Sequence, residues 1–362
     1  MKRILYLFLV FLSPGLSAQT VVTPEADVQF HSALVNNEFD ASGQTLAPSL
    51  TIATLRLAPY VGLRFGEHHR LKAGVNVCQD FGTAGSPLDV RLAAWYQMDR
   101  EKFTLAAGIY PRSLMKGRYS SVILSDKVRF YNALMEGLML QWHGEHHLYE
   151  LALDWNGKKG ADRREQFNVI TSGRVFPLSW LTLNWEGMLH HYASSAAVEG
   201  VVDDMVFHPY VGVEMGNRLG LQRLAVEVGA IAGYHNDRRA DDLRVPFGAD
   251  IVVDVRNWGA GVKNEAYYGG SQAPFYTKTD AAGQVYGNQL YMRNSQWQIT
   301  PDSTPGFYDK LDIYWAPKVG RAVTLRVNWS LQFGYGGFLG HQQILEAIVN
   351  LDRISLKRKQ IN

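Results

Sequence analysis

Apolar and polar positions alternate along the stretch from Arg321 to Tyr335. The apolar positions are Val323, Leu325, Val327, Trp329, Leu331 and Phe333, and the polar ones are Thr324, Arg326, Asn328, Ser330 and Gln332. Because successive side chains of a strand point to opposite faces, the pattern predicts a strand with one apolar and one polar face. The apolar face also continues for about the 9–11 residues that a tilted strand needs to cross a bilayer.

The same alternation recurs along most of the chain and predicts about 16 strands of a length that suits the wall of a membrane barrel. The predicted strands lie at 27–34, 55–65, 71–77, 88–98, 103–110, 134–142, 149–155, 167–175, 181–192, 206–215, 224–234, 247–255, 260–268, 311–315, 324–333 and 345–351. Short turns alternate with longer loops, and the short turns fall at Gly66, Asp99, Gly144, Pro177, Leu219, Asn257 and Val319.

Only helices and closed sheets can span a membrane, because hydrocarbon leaves no partner for an unpaired backbone N–H or C=O group. After the N-terminus, no apolar run is long enough for a transmembrane helix. The sequence therefore predicts an all-β protein: a closed antiparallel transmembrane β-barrel with short periplasmic turns and long extracellular loops. A lumen of this width is normally aqueous, so we expect inward charges such as Glu227 and Asp250 to sit in water.

Residues 1–18 have the features of a signal peptide. Lys2 and Arg3 precede a short apolar core, Ile4–Leu12, and the small residues Ser17 and Ala18 offer a cleavage site. We predict that the chain is exported and that residues 19–362 form a barrel in the cell outer membrane.

Charge and cysteine content exclude two other classes. Lys and Arg number 36 against 34 Asp and Glu, which leaves no basic excess for binding nucleic acid. The single cysteine, Cys78, excludes an internal disulfide framework.

The signal peptide, the strand pattern and the alternating loop lengths resemble the porin superfamily of Gram-negative outer membranes. The Ser17-Ala18-Gln19 junction resembles exported proteins of the Bacteroidota, and three stretches resemble uncharacterised barrel proteins of that phylum. These stretches are Ser125-Asp126 through Glu136-Gly137, Leu153-Asp154-Trp155 and Arg163-Arg164-Glu165. The resemblance implies handling by the barrel assembly machinery and, by analogy, a homotrimer. The C-terminus departs from the family, because residues 356–362 do not end on an aromatic residue.

The predicted inward charges separate along the chain. The basic candidates for lining the pore are Arg56, Arg64, Lys72, Arg91 and Arg326, with Arg70 beside them. The acidic candidates are Glu150, Asp154, Glu186, Glu214, Glu227, Asp250 and Asp254. One hypothesis is a basic arc that faces an acidic arc, giving a field across the lumen. The alternative is that each charge is solvated and pairs with a neighbouring strand.

The third long loop, Pro111 to Tyr131, is a candidate constriction, because the third loop of general porins folds into the lumen. Its basic residues are Arg112, Lys116, Arg118, Lys127 and Arg129, so an inserted loop would favour anions. An ordinary external loop is the alternative. The long loop from Gly269 to Gly306 could equally act as a lid or plug.

The sequence motifs give little support for a catalytic function. His190, His191 and Ser194 with Asp203 could form a hydrolase group, but no Gly-x-Ser-x-Gly motif is present. The chain is therefore predicted not to be an enzyme. The paired histidines cannot chelate one metal well on a strand, since neighbouring residues face opposite ways, and we expect neither a metal nor a cofactor.

Taken together, these patterns predict a passive, porin-like transport channel for small polar or charged solutes, with outer-membrane lipid as its surroundings. The alternative is a plugged structural or surface-interaction barrel whose loops bind a ligand.

Overall fold

The computed structural model describes residues 21–39, 49–83, 88–161, 163–195, 200–279, 283, 286–300 and 304–355. In these ranges the chain forms one antiparallel sheet. Its strands are Val22–Phe39 (β1), Leu50–Phe65 (β2), His69–Asp80 (β3), Asp89–Arg100 (β4), Phe103–Pro111 (β5), Leu134–His143 (β6), His147–Gly157 (β7), Gln166–Leu178 (β8), Leu181–Tyr192 (β9), Val202–Glu214 (β10), Arg223–Asp237 (β11), Asp242–Arg244 (β12), Phe247–Asn257 (β13), Ala260–Gly269 (β14), Gly306–Trp315 (β15), Lys318–Val319 (β16), Val323–Gly334 (β17) and Gly337–Ser355 (β18).

The sheet closes on itself because β1 pairs with both β2 and β18. The closing register runs from Glu25 opposite Ser355 to Phe39 opposite Gly340. Two of the strands, β12 and β16, are only three and two residues long. Within the described residues, the other 16 strands form a closed antiparallel barrel. The predicted fold class is confirmed. The predicted signal peptide, 1–18, and the tail, 356–362, lie outside the described residues.

Alternate residues face opposite sides of the wall, as the sequence pattern predicts. On β17, Val327 and Trp329 are 44% and 45% exposed on the outside, whereas Asn328 and Ser330 are buried inside. The outer surface therefore presents large apolar side chains to lipid, and the polar side chains face inwards.

The connections differ in length at the two ends. One end, here the short-turn end, carries turns such as 66–68, 101–102 and 144–146. The other, the long-loop end, carries the third loop, residues 112–133, and the seventh loop, residues 270–305. In outer-membrane barrels the short turns face the periplasm and the long loops face outwards.

The described residues of both long loops fold into the lumen. Val122 and Ile123 of the third loop and Leu290 of the seventh are fully buried, and Trp297 is 1% exposed. The loops contact each other where the Ser125 amide donates to the Met292 carbonyl at 2.9 Å. They form a plug with its own apolar core, packed against the inner wall.

The third loop contains a short helix, Asp126–Tyr131 (α1). Its first turn is capped by Ser125, whose hydroxyl accepts from the Val128 amide at 3.2 Å. Single 3₁₀ turns lie at Arg112–Leu114, Gly216–Leu219, Gly287–Leu290 and Ser295–Trp297. In the part of the chain that the structure describes, no helix is both long and apolar enough to cross a membrane.

The plug explains why apolar residues occupy both faces of β6. Met135 and Met139 point inwards and join the apolar cluster that contains Ile123. Since this strand is apolar on its inner side too, its polar alternation is lost.

On the outer wall, Gly173 lies so close to the ring of Trp185 that a prediction about stability follows. A methyl group at Gly173 would lie 2.0 Å from Cζ2 of Trp185, whose ring stacks on Tyr149 with centroids 5.5 Å apart. We expect Gly173→Ala to force this ring pair to move and to destabilise the barrel by about 1–3 kcal/mol. The temperature at which the folded band disappears in a heat-modifiability gel measures this. Gly160→Ala is the control, because its nearest neighbour would be 3.6 Å away. Equal transition temperatures for the two variants would contradict the prediction.

Candidate functional site

Inside the barrel, Glu150 of β7 anchors the third loop. Its carboxylate, 2% exposed, accepts hydrogen bonds from the amides of Lys116 and Gly117 at 2.7 and 3.2 Å. It also accepts from the Tyr119 hydroxyl and from Gln141 Nε2, both at 2.5 Å. Burial and the charge of Glu150 raise the pKa of Tyr119 well above its ordinary value, so the hydroxyl stays a neutral donor.

Two arginines of the third loop pair with wall carboxylates. Arg112 Nη2 lies 3.0 Å from Asp154 Oδ2, and both side chains are almost completely buried. Arg118 donates to both carboxylate oxygens of Glu227, at 2.5 and 2.9 Å. Burial alone would lower the pKa of Arg118, but its bonds to Glu227 raise the pKa above the ordinary value. Both arginines are therefore charged partners rather than free cations.

A histidine bridges two further wall carboxylates. His208 of β10 contacts Glu186 Oε1 at 2.8 Å through Nδ1 and Asp250 Oδ1 at 2.9 Å through Nε2. Glu186 also accepts from the Ser120 amide at 2.6 Å. This bridge links β9, β10 and β13 with the third loop.

The seven acidic candidates all face the barrel interior. Five of them are at most 6% exposed, namely Glu150, Asp154, Glu186, Glu227 and Asp250. Glu214 and Asp254 are more exposed and contact Arg174 and Arg223 respectively. The expectation that Glu227 and Asp250 sit in water is wrong, because the loops displace water around them and supply or support their partners.

The basic candidates face the interior from β2, β3, β4 and β17. Arg56 donates to the Phe130 carbonyl, Arg64 contacts Glu25, Lys72 contacts Asp27, Arg91 contacts Asp89, and Arg326 is paired in register with Glu346. Three third-loop candidates remain. Lys116, Lys127 and Arg129 are all exposed, and Arg129 also donates to the Tyr119 carbonyl within the loop.

Sequence reasoning missed Arg293 of the seventh loop, whose side chain is fully buried. Its Nη2 lies 3.0 Å from Asp204 Oδ2 of β10, and its Nε donates to the Val122 carbonyl at 2.7 Å. It also donates to the Gln272 carbonyl. One side chain thus ties the wall to both loops. A lone arginine in a long loop carries no periodic pattern that could have indicated this.

A second cluster lies on the outer wall near the long-loop end. His191 of β9 donates from Nδ1 to Asp203 Oδ1 on β10 at 2.7 Å. Arg238 donates to Asp203 Oδ2 from Nε at 2.9 Å and from Nη2 at 2.5 Å. The ring of Phe167 stacks on His191 at 4.9 Å, and Trp155 stacks on Phe167 at 5.4 Å. A polar pair therefore sits within an aromatic belt.

Strand geometry places this pair outside. His190 is buried inside, where its Nδ1 lies 2.6 Å from Asn168 Oδ1, so its neighbour His191 must point outwards. The register then puts Asp203 directly opposite His191. The Ser194 hydroxyl instead accepts from Lys159 at 3.2 Å.

Of the four residues that the sequence suggested, the structure joins His191 and Asp203. Among the described residues, no serine or threonine hydroxyl is hydrogen-bonded to His191. An imidazole oriented by a carboxylate through Nδ1 keeps Nε2 available for proton transfer, and here it would activate a water molecule.

Comparison with known proteins identifies the family. The family model described as lipid A 3'-O-deacylase-type matches residues 25–299, about three quarters of the chain. The chain belongs to the lipid A 3'-O-deacylase-type family. No curated protein matches the sequence. The prediction that the chain is not an enzyme is wrong, because this family is named for a deacylase activity.

Solved structures support the fold. A loop L8 deletion mutant of OmpT, an outer membrane protein of Vibrio cholerae, aligns with a TM-score of 0.56 at 8% identity, over 91% of this chain and 99% of that one. OccK1 of Pseudomonas aeruginosa aligns with a TM-score of 0.50 at 9% identity, over 91% and 98%. At these identities the likeness shows the fold alone, that of an outer-membrane β-barrel.

The buried contacts of Arg293 generate a second prediction. Arg293→Ala leaves the Asp204 carboxylate without its cation, which should destabilise the plug by about 3–5 kcal/mol. We expect the third and seventh loops to become sensitive to protease added from the loop side. Arg244→Ala is the control, since the Arg244 side chain is 47% exposed where it pairs with Asp242. If the two loops of the Arg293→Ala variant resist protease as well as those of the unsubstituted protein, Arg293 does not hold the plug in place.

Proposed function

We propose that the protein is an outer-membrane hydrolase that removes an ester-linked acyl chain from lipid A or a closely related lipid. The observation that carries the proposal is the His191–Asp203 pair on the lipid-facing side of the wall, at the long-loop end. Family membership supplies the substrate class, since the matching family is described as lipid A 3'-O-deacylase-type.

The position of the pair suits a substrate embedded in the membrane. Phe207 and Val211 lie on the same outer face of β10 as Asp203 and are 49% and 46% exposed. Acyl chains can lie along this apolar surface, while the polar part of the lipid reaches the height of His191. Arg238, with a side chain 59% exposed, offers positive charge to an anionic headgroup at that height.

The chemistry requires a water molecule as the nucleophile. His191 Nε2 accepts a proton as water attacks the ester carbonyl, and the resulting imidazolium is stabilised by Asp203. The same imidazolium then protonates the departing alkoxide, so that one water and one ester give one fatty acid and one alcohol. Arg238 fixes the orientation of Asp203 by binding its second oxygen.

Loss of the histidine tests this proposal. Lipid A extracted from an outer-membrane host that expresses the protein should lose one acyl chain in mass spectra. His191→Ala should slow this loss about 10²–10⁴-fold, the usual contribution of a general base. Asp203→Asn should also slow it, because the amide no longer stabilises the imidazolium.

His146→Ala is the matched control, since that histidine lies in a turn at the other end with a side chain 76% exposed. Unchanged lipid A with folded, unsubstituted protein would refute the deacylase proposal. Equal activity of the two histidine variants would refute the site while leaving the activity standing.

A passive channel is the second candidate, and the charged interior favours it. The basic candidates lie on β2, β3, β4 and β17, and the acidic ones lie on β7 to β13, so the two sets occupy different arcs of the wall. A field across the lumen remains a proposal, since the plug pairs many of these charges. The plug itself favours the alternative of a closed barrel with ligand-binding loops.

Conductance in a planar bilayer separates these alternatives. If the plug leaves a path, steady single-channel currents should appear, and a salt gradient should reveal their ion preference. The exposed cations of the third loop would give anion preference, whereas Glu214 and Asp254 at the short-turn end would give cation preference. The absence of current from folded protein would favour the closed barrel.

A further inference from the structure

One carboxylate of β15 faces the lipid. Tyr308 and Asp312 of this strand are buried inside the barrel. Phe307 and Ile313 are each 42% exposed on the outer wall. Because side chains alternate along a strand, Asp309 shares the outer face with Phe307 and Ile313, where it is partly buried. Its carboxylate therefore lies on the side of the wall that meets lipid, away from the plug.

Apolar side chains surround Asp309 on this face. The register places Ala266 of β14 and Phe333 of β17 directly opposite it. Along β15, Phe307 precedes Asp309 and Leu311 follows it on the same side, so the apolar surface continues towards both ends of the barrel. Asp309 thus lies within the apolar band of the wall rather than at its edge.

The side chain of Asn264 on β14 is the partner of this carboxylate. Its Nδ2 donates to Asp309 Oδ1 at 2.7 Å. Since Glu265 is 6% exposed on the inside, its neighbour Asn264 faces outwards. Among the described residues, no other hydrogen bond or ion pair reaches either side chain. Asp309 Oδ2, the second N–H of Asn264 and its carbonyl oxygen are therefore left without partners in this part of the chain.

The surroundings of the pair determine what can satisfy these atoms. Hydrocarbon contains neither donors nor acceptors, so lipid tails cannot do so. A polar side chain of another membrane protein can, and polar residues on membrane-spanning surfaces join subunits in this way. The Asn264–Asp309 pair is complementary to itself, because it presents an unused N–H donor beside an unused carboxylate acceptor. The same pair on a second copy would supply both missing partners.

We propose that the outer face of β14 and β15 docks against the same face of a second copy of this chain, related by a twofold axis. Asn264 of each copy donates its second N–H to Asp309 Oδ2 of the other, so the contact is isologous. Ala266, Leu311 and Phe333 surround the two hydrogen bonds with apolar contacts. The interface is separate from the outer-wall pair on β9 and β10, so it holds whether or not the protein is a deacylase.

Cysteine cross-linking in the membrane tests the contact. Cys78, which is buried, is first replaced by Ala. In that background, Ala266→Cys should form a disulfide-linked dimer when outer membranes are oxidised, because residue 266 lies opposite Asp309 and close to the proposed axis. Ala94→Cys is the matched control, since Ala94 is exposed on the outer wall of β4, on another arc of the barrel. This control should remain a single chain.

Substitution of Asp309 distinguishes polar pairing from apolar packing. Asp309→Leu should lower the yield of the Ala266→Cys dimer about tenfold, since both hydrogen bonds between the copies are lost. Asp309→Asn keeps an acceptor in the same place and should retain the dimer. A leucine suits a lipid-facing position, and heat-modifiability confirms that each variant is folded. An undiminished yield in Asp309→Leu would overturn the proposal, because apolar packing alone would then hold the copies together.

The cross-linked species must contain two copies of this chain. Native mass spectrometry of the oxidised Ala266→Cys protein should give the mass of two chains. A mass of three chains, as in a porin-type trimer, overturns the twofold contact, and an adduct with a different protein overturns the second copy as the occupant. Folded Ala266→Cys protein that yields no dimer, or no more dimer than Ala94→Cys, overturns the proposal as well.

Discussion

Every backbone N–H and C=O group in the hydrocarbon layer needs a partner within the protein, and the structure follows from that constraint. The first strand cannot remain an edge, so β1 pairs with β18 from Glu25 to Phe39. Closure with sixteen long strands gives a lumen too wide for the wall side chains to fill. The interior must then hold either water or additional chain. In this protein the third and seventh loops occupy it.

The plug and the wall charges depend on each other. A carboxylate such as Glu150 or Glu227, shielded from water by the loops, would be costly to bury alone. The third loop supplies two backbone amides to the first and Arg118 to the second. Conversely, the backbone N–H groups of the third loop could not be buried in the barrel without hydrogen-bond acceptors on the wall. The acidic inner face that the sequence predicts is thus the surface on which the plug is assembled.

Strands could be predicted from the sequence because alternation is a local property, visible within ten residues, as in β17. The partners of the charges could not, since Arg118 and Glu227 lie 109 residues apart and Arg293 and Asp204 lie 89 apart. The His191–Asp203 pair is an intermediate case. The two residues face outwards on adjacent strands only 12 residues apart, so correct register would have brought them together. Both residues belong to the hydrolase group that the sequence suggests, but the missing Gly-x-Ser-x-Gly motif argues against that group, and this motif belongs to a different architecture.

The outer pair and the inner plug share two short segments of the wall. His190-His191 of β9 lies opposite Asp203-Asp204 of β10, and the side chains alternate between the two faces. Asp204 holds Arg293 inside, and Asp203 holds His191 outside. One peptide bond therefore separates the carboxylate that secures the seventh loop from the carboxylate that orients the imidazole. Because the strand is rigid and its inner face is packed, the plug fixes the geometry of the outer pair more firmly than an aqueous lumen would. A filled barrel is in this sense a better support for chemistry on its outer wall than an open one.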